Sequence, residues 1–221
     1  MNLNSAISAV NKNGALLVFS IKNRKEPLSL WSHFFPKSQM KWEWDEDGDH
    51  RVADLWHLRE KISSSEKVIY CKWFQNRATL ISKDLYPAFL RLLNDSAENS
   101  TQAANNLSDG AQKILSILKD NSPLSTKQLK EESGLSGKFF ESDYNKRMNE
   151  LWRKLLIVGV GEIDDGAFPS LAIASAENYF EDECRKAFKL TREEAIQKAA
   201  HILGSQNVFF KYLIKYSSKN Y

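Results

Sequence analysis

The chain has 221 residues, of which 42% are hydrophobic, and its formal net charge is +3. This composition is that of a globular protein with enough apolar side chains for one large core or two small ones. No apolar run approaches the ~20 residues that span a bilayer, and the N-terminus lacks the pattern of a secretory signal. We therefore predict a cytoplasmic chain with no membrane partner.

The first part of the chain is predicted to form a small α+β domain. An apolar run over residues 15–21 has the length of a strand, and helical spacing of apolar residues begins after Pro27. Asp49 is a suitable cap for a helix over residues 50–62. The buried stripe of that helix is predicted to contain Val52, Leu55, Trp56 and Ile62.

A β-hairpin is predicted next. Residues 67–74 and 77–82 are rich in β-branched and aromatic residues, and Gln75-Asn76 lies between them. Asn tolerates the positive φ that a two-residue hairpin turn requires. A helix over residues 83–93 closes this domain.

The segment 95–107 is predicted to be a linker, because Asn, Ser and Ala largely replace apolar residues there. The predicted organisation is an N-terminal α+β domain (1–94), the linker (95–107), a winged helix domain (108–175) and C-terminal helices (176–221). The C-terminal helices are expected to brace the two halves or to pair two chains in a homodimer.

Residues 108–175 have the element order of a winged helix-turn-helix. A helix begins at Ser108-Asp109, and a capping box of Ser125 and Gln128 begins a second, which Gly134 ends. A third helix has its apolar stripe at Tyr144, Met148, Leu151, Trp152 and Leu155. Strands at 155–161 and 170–174 follow, joined by a turn at 164–166. The predicted fold class is thus α+β and predominantly helical, with a winged helix-turn-helix domain after a small α+β domain containing a β-hairpin.

The pairing of VADLWHLREKISSSEKVIYCKWFQNRATLIS with a downstream winged helix resembles the AlkZ-related proteins, which include winged-helix DNA glycosylases. The resemblance implies a nucleic-acid-binding protein with a link to DNA repair. Members with glycosylase activity use a Gln-x-Gln or Gln-x-Asp pair. No glutamine of this chain is followed two positions later by Gln or Asp. No catalytic residue is therefore carried over.

The polar face of the third helix is predicted to bind double-stranded DNA, since Asn and Arg read base edges and Lys neutralises phosphates. The candidate residues are Lys138, Asn145, Lys146, Asn149 and Arg153. The alternative is that this face is only the solvated side of an amphipathic helix.

The KWFQNR hairpin is predicted as a second nucleic-acid contact. Its candidate residues are Lys72, Trp73 and Arg77, since aromatic residues beside basic ones stack on exposed bases. The alternative places the aromatic side chains in the core.

The predicted wing carries Glu162, Asp164 and Asp165 without a basic residue, and these charges would repel phosphates. Two further functions therefore remain open. One is a protein-docking module that uses the winged helix, and the other is a glycosylase-like repair enzyme with a substituted active site.

Cofactor and metal sites are not predicted. Cys71 and Cys184 are far apart and are expected to be reduced, buried thiols. The acidic run WEWDEDGDH lacks the spacing of a calcium loop and is interpreted as a flexible loop. His57 and Arg59, near Trp56, are the remaining polar candidates, and a structural role is favoured for them.

Overall fold

One antiparallel sheet extends through both halves of the chain in the computed structural model, which describes residues 1–42 and 49–217. Its strands are β1 (Ala15–Leu17), β2 (Val68–Cys71), β3 (Thr79–Ser82), β4 (Leu124–Ser125), β5 (Ile157–Ile163) and β6 (Ser170–Ser175). Their order in the sheet is β1-β3-β2-β5-β6-β4. The two hairpins meet where Tyr70 of β2 pairs with Gly159 of β5.

Helices make up most of the remaining structure. They are α1 (Leu3–Asn13), α2 (Leu30–Phe34), α3 (His50–Ser64), α4 (Tyr86–Leu93), α5 (Ser100–Asn105), α6 (Asp109–Asp120), α7 (Thr126–Ser133), α8 (Glu141–Arg153), α9 (Ala176–Tyr179), α10 (Glu181–Ala187), α11 (Arg192–Leu203) and α12 (Val208–Ser217). The prediction of a mainly helical protein that also contains β-structure is confirmed. No helix of the described residues is long and apolar enough to cross a membrane.

The local signals that begin and end helices act as the sequence predicts. The Ser125 and Gln128 side chains form a reciprocal capping box at the start of α7, and Thr191 with Glu194 does the same for α11. Gly134 ends α7 in the left-handed conformation, with φ of 74°. The Asp49 side chain accepts a hydrogen bond from the backbone N–H of Arg51 and so caps α3.

The sheet separates two apolar clusters, because successive side chains of a strand point to opposite faces. Val68 and Tyr70 of β2 lie in the smaller cluster, with α1, α2 and α3. Ile69 and Cys71 lie in the larger one, which continues from α4 through α6, α7 and α8 to α12. The larger cluster therefore contains residues from both halves of the chain.

The segment 95–107, which we predicted as a polar linker, contains the helix α5. Ala97, Ala103 and Leu107 are buried in the larger cluster. The segment has few apolar residues, but these three side chains are covered by the rest of the protein. The segment is thus packed on the protein.

Three local predictions were wrong in detail. Trp56, expected in the buried stripe of α3, is 48% exposed, and its ring contacts the Arg59 guanidinium at 4.2 Å. The first strand has only the residues Ala15–Leu17, and the connection between β2 and β3 includes a 3-10 turn, Phe74–Asn76. Gln75 and Asn76 do adopt positive φ, as predicted.

The acidic run falls mostly in residues 43–48, outside the described residues. The predicted flexible loop and the calcium site considered for this run therefore lie outside the described residues. Asp49, its last carboxylate, is described as the α3 cap.

Candidate nucleic-acid interface

The position of α8 is set by its buried stripe. Tyr144, Met148, Leu151 and Trp152 are all at most 5% exposed and belong to the larger cluster. They occur at helical spacing, so they form one side of α8. This side packs against α6, which fixes the direction of the opposite side. The predicted stripe is confirmed for these four residues, whereas Leu155, its predicted fifth member, is buried but lies beyond the end of α8 with a positive φ.

The opposite side of α8 carries the predicted polar residues. Asn145, Lys146 and Arg153 are exposed, and Asn149 is partly exposed. The spacing of 145, 149 and 153 places these three side chains in one row. Lys138 is also exposed, in the 3-10 turn (Lys138–Phe140) that runs directly into α8. The structure thus brings the predicted residues of this segment to one accessible region.

The carboxylates of α8 each have a partner within the protein. Lys130 Nζ is 2.6 Å from Glu141 Oε2, and this hydrogen bond lowers the pKa of Glu141. Asp143 accepts a hydrogen bond from Arg147 Nε at 3.0 Å. Glu150 accepts hydrogen bonds from the backbone N–H and hydroxyl of Ser108, at 2.9 and 2.5 Å.

The three cations at this surface differ from the carboxylates of α8, because they are not held in ion pairs by the described part of the chain. Within residues 1–42 and 49–217, Lys138, Lys146 and Arg153 form no ion pair with a carboxylate. The polar side of α8 therefore presents three cations that are not held in ion pairs with described carboxylates, with the carboxylate of Glu150 one helical turn from Lys146 and Arg153.

Two of the three acids of the β5–β6 hairpin are also engaged. The hydroxyl of Ser125 donates a hydrogen bond to Asp165, and this bond lowers the pKa of Asp165 together with one from Ser170. Glu162 pairs with Arg59 of α3. Asp164 is exposed. The Arg59 guanidinium thus neutralises the charge of Glu162, whereas the serine hydroxyls hold Asp165 in its charged form.

The predicted contact of the KWFQNR hairpin requires a correction. Trp73 and Phe74 are each 1% exposed, and their rings pack against Phe89, Phe209 and Tyr212 at centroid distances of 4.6–5.1 Å. Their faces are covered by protein, so Trp73 has no free surface on which a base could stack. The alternative that places these aromatic residues in the core is confirmed.

The two basic residues of that hairpin have different surroundings. Arg77 is exposed, whereas Lys72 is only partly exposed, and burial lowers its pKa, with a further contribution from the charge of Arg59. The 3-10 turn between them packs against α8. The backbone N–H of Gln75 donates to the Tyr212 hydroxyl at 3.2 Å, so α12 supports this turn.

A second polar cluster lies on the other face of the sheet, around Arg59. Arg59 is 2% exposed, pairs with Glu162, and has the rings of Trp56 and Tyr70 at 4.2 and 5.7 Å from its guanidinium carbon. Its Nε has no hydrogen-bond partner within the described residues. His57 is exposed and is not part of this cluster. Sequence reasoning missed Glu162 as the partner, since 103 positions separate the two residues.

The described residues form no cluster of metal ligands, and a cavity between α4, α6 and α10 is small. No group of three or more His, Cys, Asp or Glu side chains in the described part of the chain could hold a metal ion. A cavity lined by Leu90, Leu115, Leu156 and Cys184 has a volume of about 10 Å³. This is near the minimum for a single water molecule and is far too small for a nucleobase.

A family model described as AlkZ related matches residues 1–208. The chain belongs to the AlkZ-related family. Membership supports a glycosylase-like fold related to DNA repair. The match includes both halves of this AlkZ-related chain. No curated protein and no solved structure matches the chain significantly.

Proposed function

We propose that this AlkZ-related protein binds double-stranded DNA without catalysing base excision. In this proposal, residues 108–175 act as a winged helix-turn-helix and α8 enters the major groove. The element order supports it: α6, β4, α7, α8, β5 and β6 follow one another, and β4 pairs with β6, which pairs with β5. In this proposal α7 and α8 form the helix-turn-helix motif. The second helix of such a motif, here α8, contacts base edges.

The observation that carries the proposal is the arrangement of charge on α8. Its acids are held by Lys130, Arg147 and Ser108. Lys138, Lys146 and Arg153, by contrast, form no ion pair with a carboxylate of the described residues. A surface of this kind attracts phosphates and releases their counterions. A helix side that only needed to be soluble would not require this separation of charge.

The non-catalytic part of the proposal rests on the sequence. None of the glutamines is followed two positions later by Gln or Asp, the pair that the glycosylase-active relatives use. Release of a base from alkylated or crosslinked duplex by the wild-type chain would reject this part. The binding part of the proposal is tested by a separate experiment.

Fluorescence anisotropy with a random duplex, titrated at several salt concentrations, tests the binding. We expect the affinity to fall as salt rises, and Lys146→Glu with Arg153→Glu to weaken binding at low salt. The slope of log affinity against log salt is expected to fall by about two, because each lost phosphate contact removes about one.

The matched control is Lys25→Glu with Lys189→Glu. These two exposed lysines lie in loops outside α8 and its flanking elements in the sequence, and the control changes the net charge by the same amount. It is expected to leave the slope unchanged. Equal losses in both double variants would show that only the net charge matters and would reject α8 as the interface.

The protein-docking alternative depends on the hairpin acids. It requires free negative charge on the hairpin, and Glu162 is paired with the cation Arg59. Asp165 is held by the uncharged hydroxyl of Ser125 and keeps its charge, and Asp164 is exposed. A partner that co-purifies with the wild type and is lost on Asp164→Lys would favour this alternative.

A further inference from the structure

Two adjacent phenylalanines project from the protein immediately before α8. Phe139 is 90% exposed and Phe140 is 39% exposed, and their rings contact edge to face at a centroid distance of 5.1 Å. Both belong to the 3-10 turn that begins at Lys138. Among the exposed large apolar side chains of the described residues, Phe139 has the largest exposed fraction.

The backbone holds Phe139 in this outward position. Gly137, with φ of 91°, precedes the turn, and its carbonyl accepts a hydrogen bond from the Phe140 N–H at 3.1 Å. A residue with a Cβ rarely adopts this φ, so glycine is suited to this position. The turn then continues into α8 at Glu141, so the position of Phe139 is fixed relative to that helix.

Charge around the two rings favours a nucleic acid as the occupant. Lys138 is exposed beside Phe139, and Lys146 lies further along the accessible side of α8. The first-turn acids, Glu141 and Asp143, are paired with Lys130 and Arg147. A protruding apolar side chain next to unpaired cations suits a ligand that has apolar groups between phosphates.

We infer that Phe139 contacts the C5-methyl groups of pyrimidines in the major groove and so favours duplexes that contain thymine or 5-methylcytosine. The inference rests on the proposed function, in which α8 enters that groove. The N-terminal residues of a recognition helix lie nearest the base edges. The thymine methyl group is the apolar feature of the major groove, and Phe is one of the side chains that contact it.

The test compares one random duplex with the same duplex in which every thymine is replaced by uracil. A third duplex carries 5-methylcytosine in place of cytosine. Wild-type protein is expected to bind the thymine duplex about fourfold more tightly than the uracil duplex, the effect of burying one methyl group. It is expected to bind the 5-methylcytosine duplex more tightly than the unmethylated one.

Phe139→Ala is expected to bind the thymine and uracil duplexes equally while keeping the salt dependence of the wild type. Phe139→Leu, which retains an apolar side chain, is expected to keep part of the preference. Phe168→Ala is the matched control, because Phe168 is 83% exposed on the β5–β6 connection. This control should keep the full preference.

The outcomes separate the inference from the proposed function. Salt-dependent binding without any methyl preference in the wild type would overturn the inference and leave DNA binding intact. A methyl preference that persists in Phe139→Ala would also overturn the inference and leave DNA binding intact. Absence of binding to any duplex at low salt would reject the proposed function and the inference with it.

Discussion

The guanidinium of Arg59, on α3, donates a hydrogen bond to the carboxylate of Glu162, on β5. The Arg59 side chain is only 3% exposed and that of Glu162 is 20% exposed. The pair joins the two halves of the chain on the face of the sheet opposite the larger cluster. Its low exposure makes either charge costly when the other is removed.

We therefore expect Glu162→Ala to destabilise the protein by about 3 kcal/mol, because it leaves the Arg59 charge buried without a counter-ion. The free energy of unfolding, measured by urea titration, checks this. Asp182→Ala is the matched control, since Asp182 also pairs with an arginine, Arg185, but both side chains are more than half exposed. The control should change stability by less than about 1 kcal/mol.

The double variant Arg59→Met with Glu162→Met tests the reason for this loss. Apolar side chains of similar volume remove both charges at once, so much of the stability lost in Glu162→Ala should return. A double variant that is no more stable than Glu162→Ala would show that packing around Trp56 and Tyr70, and not the buried charge, causes the loss.

The continuous sheet predicts how the whole chain unfolds. Tyr70 pairs with Gly159 across the boundary between the two halves, and the larger cluster contains residues from both. Elements that share a sheet and a core unfold cooperatively. We expect a single urea transition that coincides when it is followed by far-ultraviolet circular dichroism and by tryptophan fluorescence. Two separate transitions would instead support the domain boundaries that the sequence predicts.

Local structure of the C-terminal half could be predicted because each signal lies within a few residues. The Ser125–Gln128 capping box, the φ of Gly134 and the spacing of the apolar stripe of α8 are set by residues within a single helix. These interactions need no knowledge of the rest of the chain, so sequence reading was sufficient for them.

The arrangement of the N-terminal half and of the candidate site depends on distant residues. Trp73 is covered by Tyr212 of α12, which the pattern of the KWFQNR segment does not reveal. The hairpin acids, expected to repel phosphates, are engaged with partners that lie 40 and 103 positions away. Burial and charge neutralisation of this kind require the tertiary structure.

Gly159 lies where the two hairpins join, and no side chain fits at this position. A Cβ at residue 159 would overlap the aromatic ring of Tyr70 and lie 3.1 Å from the Leu171 side chain. Gly159→Ala is expected to destabilise the protein by about 1–3 kcal/mol through overpacking. Thermal unfolding measures this. Gly166→Ala is the matched control, with open space around the added Cβ, and an equal loss there would contradict the explanation.

The two buried thiols predict a dependence on alkaline pH. Burial raises the pKa of both Cys71 and Cys184 from 9.0 to about 12. Thiolates are the reactive form, so native protein at pH 8 should react very slowly with a thiol reagent, and both residues should react quickly in urea.

The raised pKa values of the two buried thiols also predict how stability depends on pH. The contribution of the protonated thiols to stability is complete below about pH 9, where the unfolded chain also keeps its protons. As the pH rises from 9 towards 12, only the unfolded thiols ionise, so the free energy of unfolding should fall over this range. Cys71→Ala with Cys184→Ala should reduce that fall, and a double variant with an unchanged pH profile would assign it to other groups.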